Sequence, residues 1–181
     1  MWLLPALSAL SSFACRVFYR FSVEGPRPSR SGPLLLVANH QNSLFDPALV
    51  VAAAERPVQF LAKSTLFADR RVGWLVRASG AIPVHRSHEV VGAADKNVRT
   101  FDSVFERLSG GAAIGVFPEG ASHSEPSLIP LKTGAARMAL GSYDRAKTVF
   151  PLVPIGLLLR DKGVFRSKSG SHLPGATMIC A

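Results

Sequence analysis

Leu34-Leu35-Leu36-Val37-Ala38-Asn39-His40-Gln41-Asn42-Ser43-Leu44-Phe45-Asp46-Pro47 passes within fourteen residues from a wholly apolar run to a polar corner and a helix start. Its first five residues form a short continuous apolar run, the kind buried on both faces in a parallel sheet. Polar residues follow at once. A helix is then expected over 46–54, with Pro47 in the first turn, where its missing N–H costs nothing. Strand, polar corner and helix over residues 34–54 make one half of a βαβ unit.

The same grammar recurs downstream. Further strands are expected at 58–62, 81–85, 112–117 and 149–159, and helices at 71–78, 89–108 and 134–140. In the long helix, Val90, Val91, Ala94, Val98, Phe101, Val104, Phe105 and Leu108 fall at spacings of three and four, one face of an amphipathic helix; Gly110-Gly111 ends it. Strands alternating with helices predict a single α/β domain over 33–166, a mixed, largely parallel sheet flanked by helices. At 181 residues the chain suits one domain with a real core rather than two.

The two ends read differently. Residues 1–21 form an apolar stretch closed by Arg16 and Arg20, and 1–24 is expected to be a membrane-associating unit. Secretory signals carry their charge before the apolar run, not after it. The run is also short and serine-interrupted against the ~20 residues of a full span. An interfacial helix is expected, with Trp, Leu and Phe in the acyl boundary and Arg16 and Arg20 on lipid phosphates. The alternative is a helix packed on the domain's own core. The connector 25–33 is rich in Gly, Pro and Ser. Residues 167–181 have neither helical nor strand periodicity and are expected to be an irregular tail, as at the end of a truncated chain.

Composition narrows the partners. A net charge of +9 beside a hydrophobic content of 48% points to an anionic partner. Nucleic acid is set aside, because the basic residues are scattered and only two Tyr and two Trp are present. A membrane surface or a phosphorylated small molecule remains. Cys15 and Cys180 form no disulfide framework and no zinc spacing.

The polar residues gather just past apolar runs, where α/β folds place reactive groups. His40 precedes Asp46 by six positions. A histidine held by a carboxylate at one ring nitrogen can take a proton at the other. Read alone, the pair is more readily a helix cap by Asp46 beside a surface histidine. Phe117-Pro118-Glu119-Gly120 follows the next buried run, and Gly120 lets the backbone approach a ligand. Ser122, His123 and Ser124 then offer donors. Arg86, after the run 80–85, can grip a phosphate with two N–H groups. Lys63, Lys132 and Arg137 are further basic candidates, Lys132 preceding a helix start that favours anions. His85, His88 and Glu89 lack a third convergent ligand, so no metal and no cofactor is expected.

Taken together, these blocks resemble the phospholipid/glycerol acyltransferases, which include glycerol-3-phosphate and 1-acylglycerol-3-phosphate acyltransferases. Residues 39–46 resemble the catalytic block, 80–86 and 117–120 the acceptor blocks, and Val153-Pro154-Ile155-Gly156 the last block, which shapes the acyl site. The resemblance implies a dyad of His40 and Asp46, with Arg86, Glu119 and Gly120 in the acceptor site. It implies an acyl-CoA or acyl carrier protein donor and a glycerol-3-phosphate or lysophosphatidate acceptor, at the cytoplasmic face of a membrane. Two departures bear on the acceptor. The spacing is H-x5-D rather than H-x4-D, and Ala121-Ser122 stands where Thr-Arg is usual, leaving Lys132, Arg137 or His123 to take the arginine's place. A serine hydrolase fits less well, since Gly120-Ala121-Ser122-His123-Ser124 lacks the closing glycine of a nucleophile elbow. A non-catalytic lipid-binding module would need no His40.

Overall fold

Alternation along Leu34–Ala38 divides the core. Leu34, Leu36 and Ala38 pack on one face of the sheet with Cys15, Tyr19, Leu49 and Val50. Leu35 packs on the other face with Val104, Leu108, Ile114 and Met138. A strand sends successive side chains to opposite faces, so a run apolar at every position is what a strand covered on both sides requires. The computed structural model describes residues 3–43, 45–85, 93–123, 125, 127–146, 150–159, 168–172 and 177–178.

The elements run α1 (Leu4–Phe18), β1 (Arg20–Glu24), β2 (Leu34–Ala38), α2 (Phe45–Ala54), β3 (Val58–Lys63), α3 (Ser64–Ala68), α4 (Gly73–Ala78), β4 (Ile82–Val84), α5 (Ala93–Ser109), β5 (Ala113–Val116), α6 (Gly134–Ala146), β6 (Pro151–Leu159), β7 (Lys168–His172) and β8 (Thr177–Met178). The sheet order is β1-β7-β6-β2-β5-β3-β4, with β8 also paired to β6. Five consecutive strands of it, β6-β2-β5-β3-β4, are all parallel. The expected single α/β domain with a largely parallel sheet is what the chain forms, α1 and α2 on one face, α5 and α6 on the other.

Three expectations are corrected. The first 24 residues are not one helix: α1 stops at Phe18 and Arg20–Glu24 is a strand. Residues 167–181 are not wholly irregular, because Lys168–His172 pairs antiparallel with β6 and parallel with β1. Together β7 and β1 cover the sheet edge that β6 would otherwise present, which removes a template for aggregation. The segment 64–68 is a short helix with no counterpart in the sequence reading. Of the predicted face of α5, Val104, Phe105 and Leu108 are buried but Val98 is half exposed; Val90 and Val91 lie outside the described residues.

Helix α1 packs on the core along one face and leaves apolar side chains exposed on another. Leu4, Ser8 and Cys15 are buried, and the helix packs on the domain core beside α2. Leu10, Phe13 and Val17 on its other face are exposed. Among the described residues no helix is long and apolar enough to cross a membrane.

Candidate active site

Parity along β2 carries His40 toward α2: Leu34, Leu36 and Ala38 face that helix, and His40 is the next residue of the same phase. The chain then turns, and Asp46 returns in the first turn of α2. His40 Nδ1 and Asp46 Oδ2 are 2.8 Å apart, with Asp46 fully buried and the His40 side chain 17% exposed. The same carboxylate oxygen accepts the Asn42 N–H at 2.6 Å. A carboxylate only accepts, so Nδ1 carries the proton and Nε2 keeps its lone pair. The six-residue separation therefore closes into a hydrogen-bonded pair.

Several contacts fix the ring. Phe117 stacks on the imidazole, centroids 4.2 Å apart and planes 14° from parallel, and Phe60 stacks on Phe117 in turn. The column needs Gly115 beneath it, since a Cβ there would lie 2.3 Å from the Phe60 ring. Asn39 locks the end of β2 to β6 through both halves of its amide: Nδ2 donates to the Leu157 carbonyl at 2.9 Å, and Oδ1 accepts the Leu157 N–H at 2.6 Å. Asn42 Nδ2 reaches the Tyr19 hydroxyl at 3.5 Å, joining the end of α1 to the corner that holds Asp46. Burial pushes the Tyr19 phenol up, with Cys15 and Asp46 adding to the effect and Asn42 opposing it. Sequence reasoning missed Asn39, Tyr19, Phe60 and the stacking role of Phe117. A phenylalanine repeated at 60 and 117, each on or just past a neighbouring strand, was the available signal for the stack.

Glu119 is turned inward. Its side chain is fully buried; Oε2 accepts the His40 N–H at 2.8 Å and stands 2.9 Å from His123 Nε2. The His123 N–H donates to the His40 carbonyl at 3.1 Å. Ser122 Oγ accepts the Ser43 N–H at 3.1 Å. These three residues, expected to bind substrate, brace the backbone on either side of His40.

Lys132 is placed differently. Gly120 has φ +69°, and a Cβ on it would fall 2.7 Å from Lys132 Nζ. The lysine side chain therefore lies across the Gly120 turn, anchored by its own N–H on the Pro118 carbonyl at 2.8 Å. Arg137 lies over the Phe101 ring at 5.0 Å, a cation–π contact between α6 and α5. Lys63 closes β3 at the same end of the sheet as His40. Arg86, His88, Glu89 and Ser124 lie outside the described residues. Among the described residues no cluster of His, Cys, Asp and Glu has the form of a metal site. A cleft of about 940 Å³ lined by Pro33, Leu108, Ser109 and Phe150 opens at the amino ends of the strands, away from the dyad.

A buried carboxylate orienting a histidine beside a lysine-covered glycine turn is equipped for proton abstraction next to an anion. The family model described as Acyltransferase matches residues 20–158. The chain belongs to the acyltransferase family. The chain is 45% identical over 74 residues to glycerol-3-phosphate O-acyltransferase 2 of Saccharomyces cerevisiae, covering 40% of this chain and 10% of the yeast protein. It is 28% identical over 150 residues to the chloroplastic 1-acyl-sn-glycerol-3-phosphate acyltransferase BAT2 of Brassica napus, covering 82% of this chain and 40% of that protein. The chain thus spans well under half the length of these two relatives. Its fold matches the crystal structure of the 1-acyl-sn-glycerophosphate acyltransferase PlsC from Thermotoga maritima, with a TM-score of 0.73 and 21% identity, over 98% of this chain and 69% of that one.

Proposed function

We propose that this chain transfers a fatty acyl group from an acyl thioester to a hydroxyl of glycerol-3-phosphate or lysophosphatidate. The observation that carries the reading is the His40–Asp46 pair, 2.8 Å apart at the carboxyl end of β2, with Nε2 left as the proton acceptor. The relatives named above support the acceptor class.

In the proposed reaction, His40 Nε2 takes the acceptor hydroxyl proton as that oxygen attacks the thioester carbonyl. Asp46 stabilises the imidazolium that forms. The tetrahedral intermediate collapses, the C–S bond breaks, and the leaving thiolate takes the proton back from His40. The donor is acyl-CoA or acyl carrier protein. Lys132 takes the acceptor phosphate: Arg137 is engaged with Phe101 and His123 with Glu119, which leaves the lysine over Gly120 as the cation facing the turn. Arg86 and Lys63 are further phosphate contacts in this reading. Residues 33–166 form the catalytic unit. In this reading the enzyme works on a membrane surface, at its cytoplasmic face, and the exposed Leu10, Phe13 and Val17 of α1, which would face the lipid, support the membrane contact.

The test is transfer of a labelled acyl group from acyl-CoA and from acyl carrier protein to each acceptor, comparing wild type with Lys132→Ala. The variant is expected to raise KM for a phosphorylated acceptor about tenfold or more, as loss of a charge-assisted hydrogen bond does, and to leave a neutral monoacylglycerol unaffected. Equal effects on both acceptors would remove Lys132 from the phosphate site. No transfer by wild type to any acceptor would overturn the reading.

A further inference from the structure

The crossover from β3 to β4 carries an apolar surface that the proposed chemistry does not use. Trp74 is 60% exposed, and Leu66 and Leu75 are 40% exposed. They lie on α3 and α4, the two short helices just beyond the carboxyl end of β3, the end of the sheet at which His40 follows β2.

This exposure is held in place by a braced corner. Gly73 is buried against α3, and a Cβ there would meet the Phe67 carbonyl oxygen at 2.6 Å. The Arg77 guanidinium donates to that same carbonyl. The Asp69 carboxylate accepts the N–H groups of Arg71 and Val72 at 2.8 and 3.1 Å. A corner tied at three points presents its tryptophan outward as a fixed feature.

Charge decides the occupant. Between residues 61 and 85 there are four basic residues and one acid. That acid, Asp69, is exposed, with Oδ1 accepting two backbone N–H groups, and Arg70 and Arg71 beside it are exposed as well. Tryptophan and leucine flanked by arginines match a bilayer interface, with rings at headgroup level and guanidinium groups on phosphates. The three side chains expose on the order of 300 Å², well below the ~800 Å² per partner of a stable protein interface.

We propose that the α3–α4 corner is a second membrane-docking surface, inserting Trp74, Leu66 and Leu75 into an anionic bilayer with Arg70 and Arg71 on its phosphates. It rests on the membrane reading above, but neither on α1 nor on acyl transfer. Docking here turns the carboxyl end of the sheet toward the lipid, so an acyl acceptor reaches His40 without leaving the interface.

The experiment uses the full chain carrying Trp2→Phe, so that Trp74 is the only tryptophan. It is mixed with phosphatidylcholine vesicles containing or lacking about 30 mol % phosphatidylglycerol, and with brominated-lipid versions of both. Trp74 emission is expected to shift to the blue and to be quenched by the brominated chains on anionic vesicles. Arg70→Gln and Arg71→Gln are each expected to lower partitioning onto those vesicles about fivefold, at about 1 kcal/mol per basic residue, and to leave partitioning onto neutral vesicles unchanged. Sedimentation with vesicles while Trp74 emission and quenching stay as in buffer would overturn the proposal and leave membrane association through α1 standing. Absence of vesicle binding would overturn both. A blue shift that grows with protein concentration without lipid would assign the corner to a second copy of the chain, overturning the bilayer.

Discussion

Asn39 offers the most quantitative check on how the site is held. Its amide is the only polar link described between the end of β2 and Leu157 on β6, and both its bonds go to backbone groups of a residue that is 3% exposed. Asn39→Ala leaves the Leu157 N–H and carbonyl without partners in a place that water enters poorly. A buried unsatisfied backbone group costs about 1–3 kcal/mol. Partial relaxation of β6 recovers some of the loss for two adjacent groups, so the expected destabilisation is about 2–4 kcal/mol. For a chain of this size that lowers Tm by about 5–15 °C. Urea titration followed by tryptophan fluorescence measures it, with the midpoint falling and the slope unchanged. Asn39→Asp discriminates further: it keeps the acceptor for the Leu157 N–H but faces a carboxylate to the Leu157 carbonyl, so it should be no more stable than Asn39→Ala at neutral pH. A midpoint for Asn39→Ala within about 0.5 kcal/mol of wild type would refute the reasoning, because a surface substitution costs no more than that.

Asp46→Asn keeps the shape of the dyad but lets an amide N–H face His40 Nδ1, favouring the wrong tautomer. The expected loss in kcat is on the order of 10³–10⁴, with the fold intact by circular dichroism; a loss below about tenfold would remove Asp46 from its orienting role. Gly115→Ala forces the Phe60 ring aside and should cost about 1–3 kcal/mol in urea, whereas Gly110→Ala, whose nearest contact would be 3.5 Å, serves as the near-neutral control. Equal stabilities for the two variants would contradict the stacked column. Burial pushes the Cys15 thiol up from 9.0 to about 11. Its folded value exceeds its unfolded one, so the stability tied to the neutral thiol is present below pH 9 and lost as pH rises through about 11. In a Cys180→Ser background, Cys15 should resist a disulfide-exchange thiol reagent at pH 8 until the chain unfolds, and reaction at a free-thiol rate in the native state would contradict that burial.

The centre of the sheet was legible because it is apolar. Leu34–Ala38 and Ala113–Val116 lie between two helical layers, and a strand covered on both sides has to be hydrophobic at nearly every position. The edge was not. Lys168–His172 is polar, pairs through backbone hydrogen bonds and leaves no hydrophobic period, while Arg20–Glu24 carries only Phe21 and Val23 as apolar alternates, too short a pattern to stand out beside the apolar helix before it. Helix α3 has five residues, too few for a period of 3.6 to show. His40 and Asp46 could be paired because they sit on one corner. Asn39 and Leu157 are separated by 118 positions, and no local pattern announces that an asparagine amide ends one strand on another. Glu119 was recognisable by its Pro-Glu-Gly setting, but which way its carboxylate points depends on the His40 N–H standing 2.8 Å away, a fact of topology.

The most direct test of the central claim is single-turnover acyl transfer from a labelled acyl thioester, comparing wild type with His40→Ala on vesicles that carry lysophosphatidate. With a general base that is worth on the order of 10²–10⁴ in rate, the variant should lose at least a hundredfold in the chemical step while keeping its urea midpoint and vesicle binding. Transfer by the correctly folded variant within tenfold of wild type would contradict the assignment of His40 as the base.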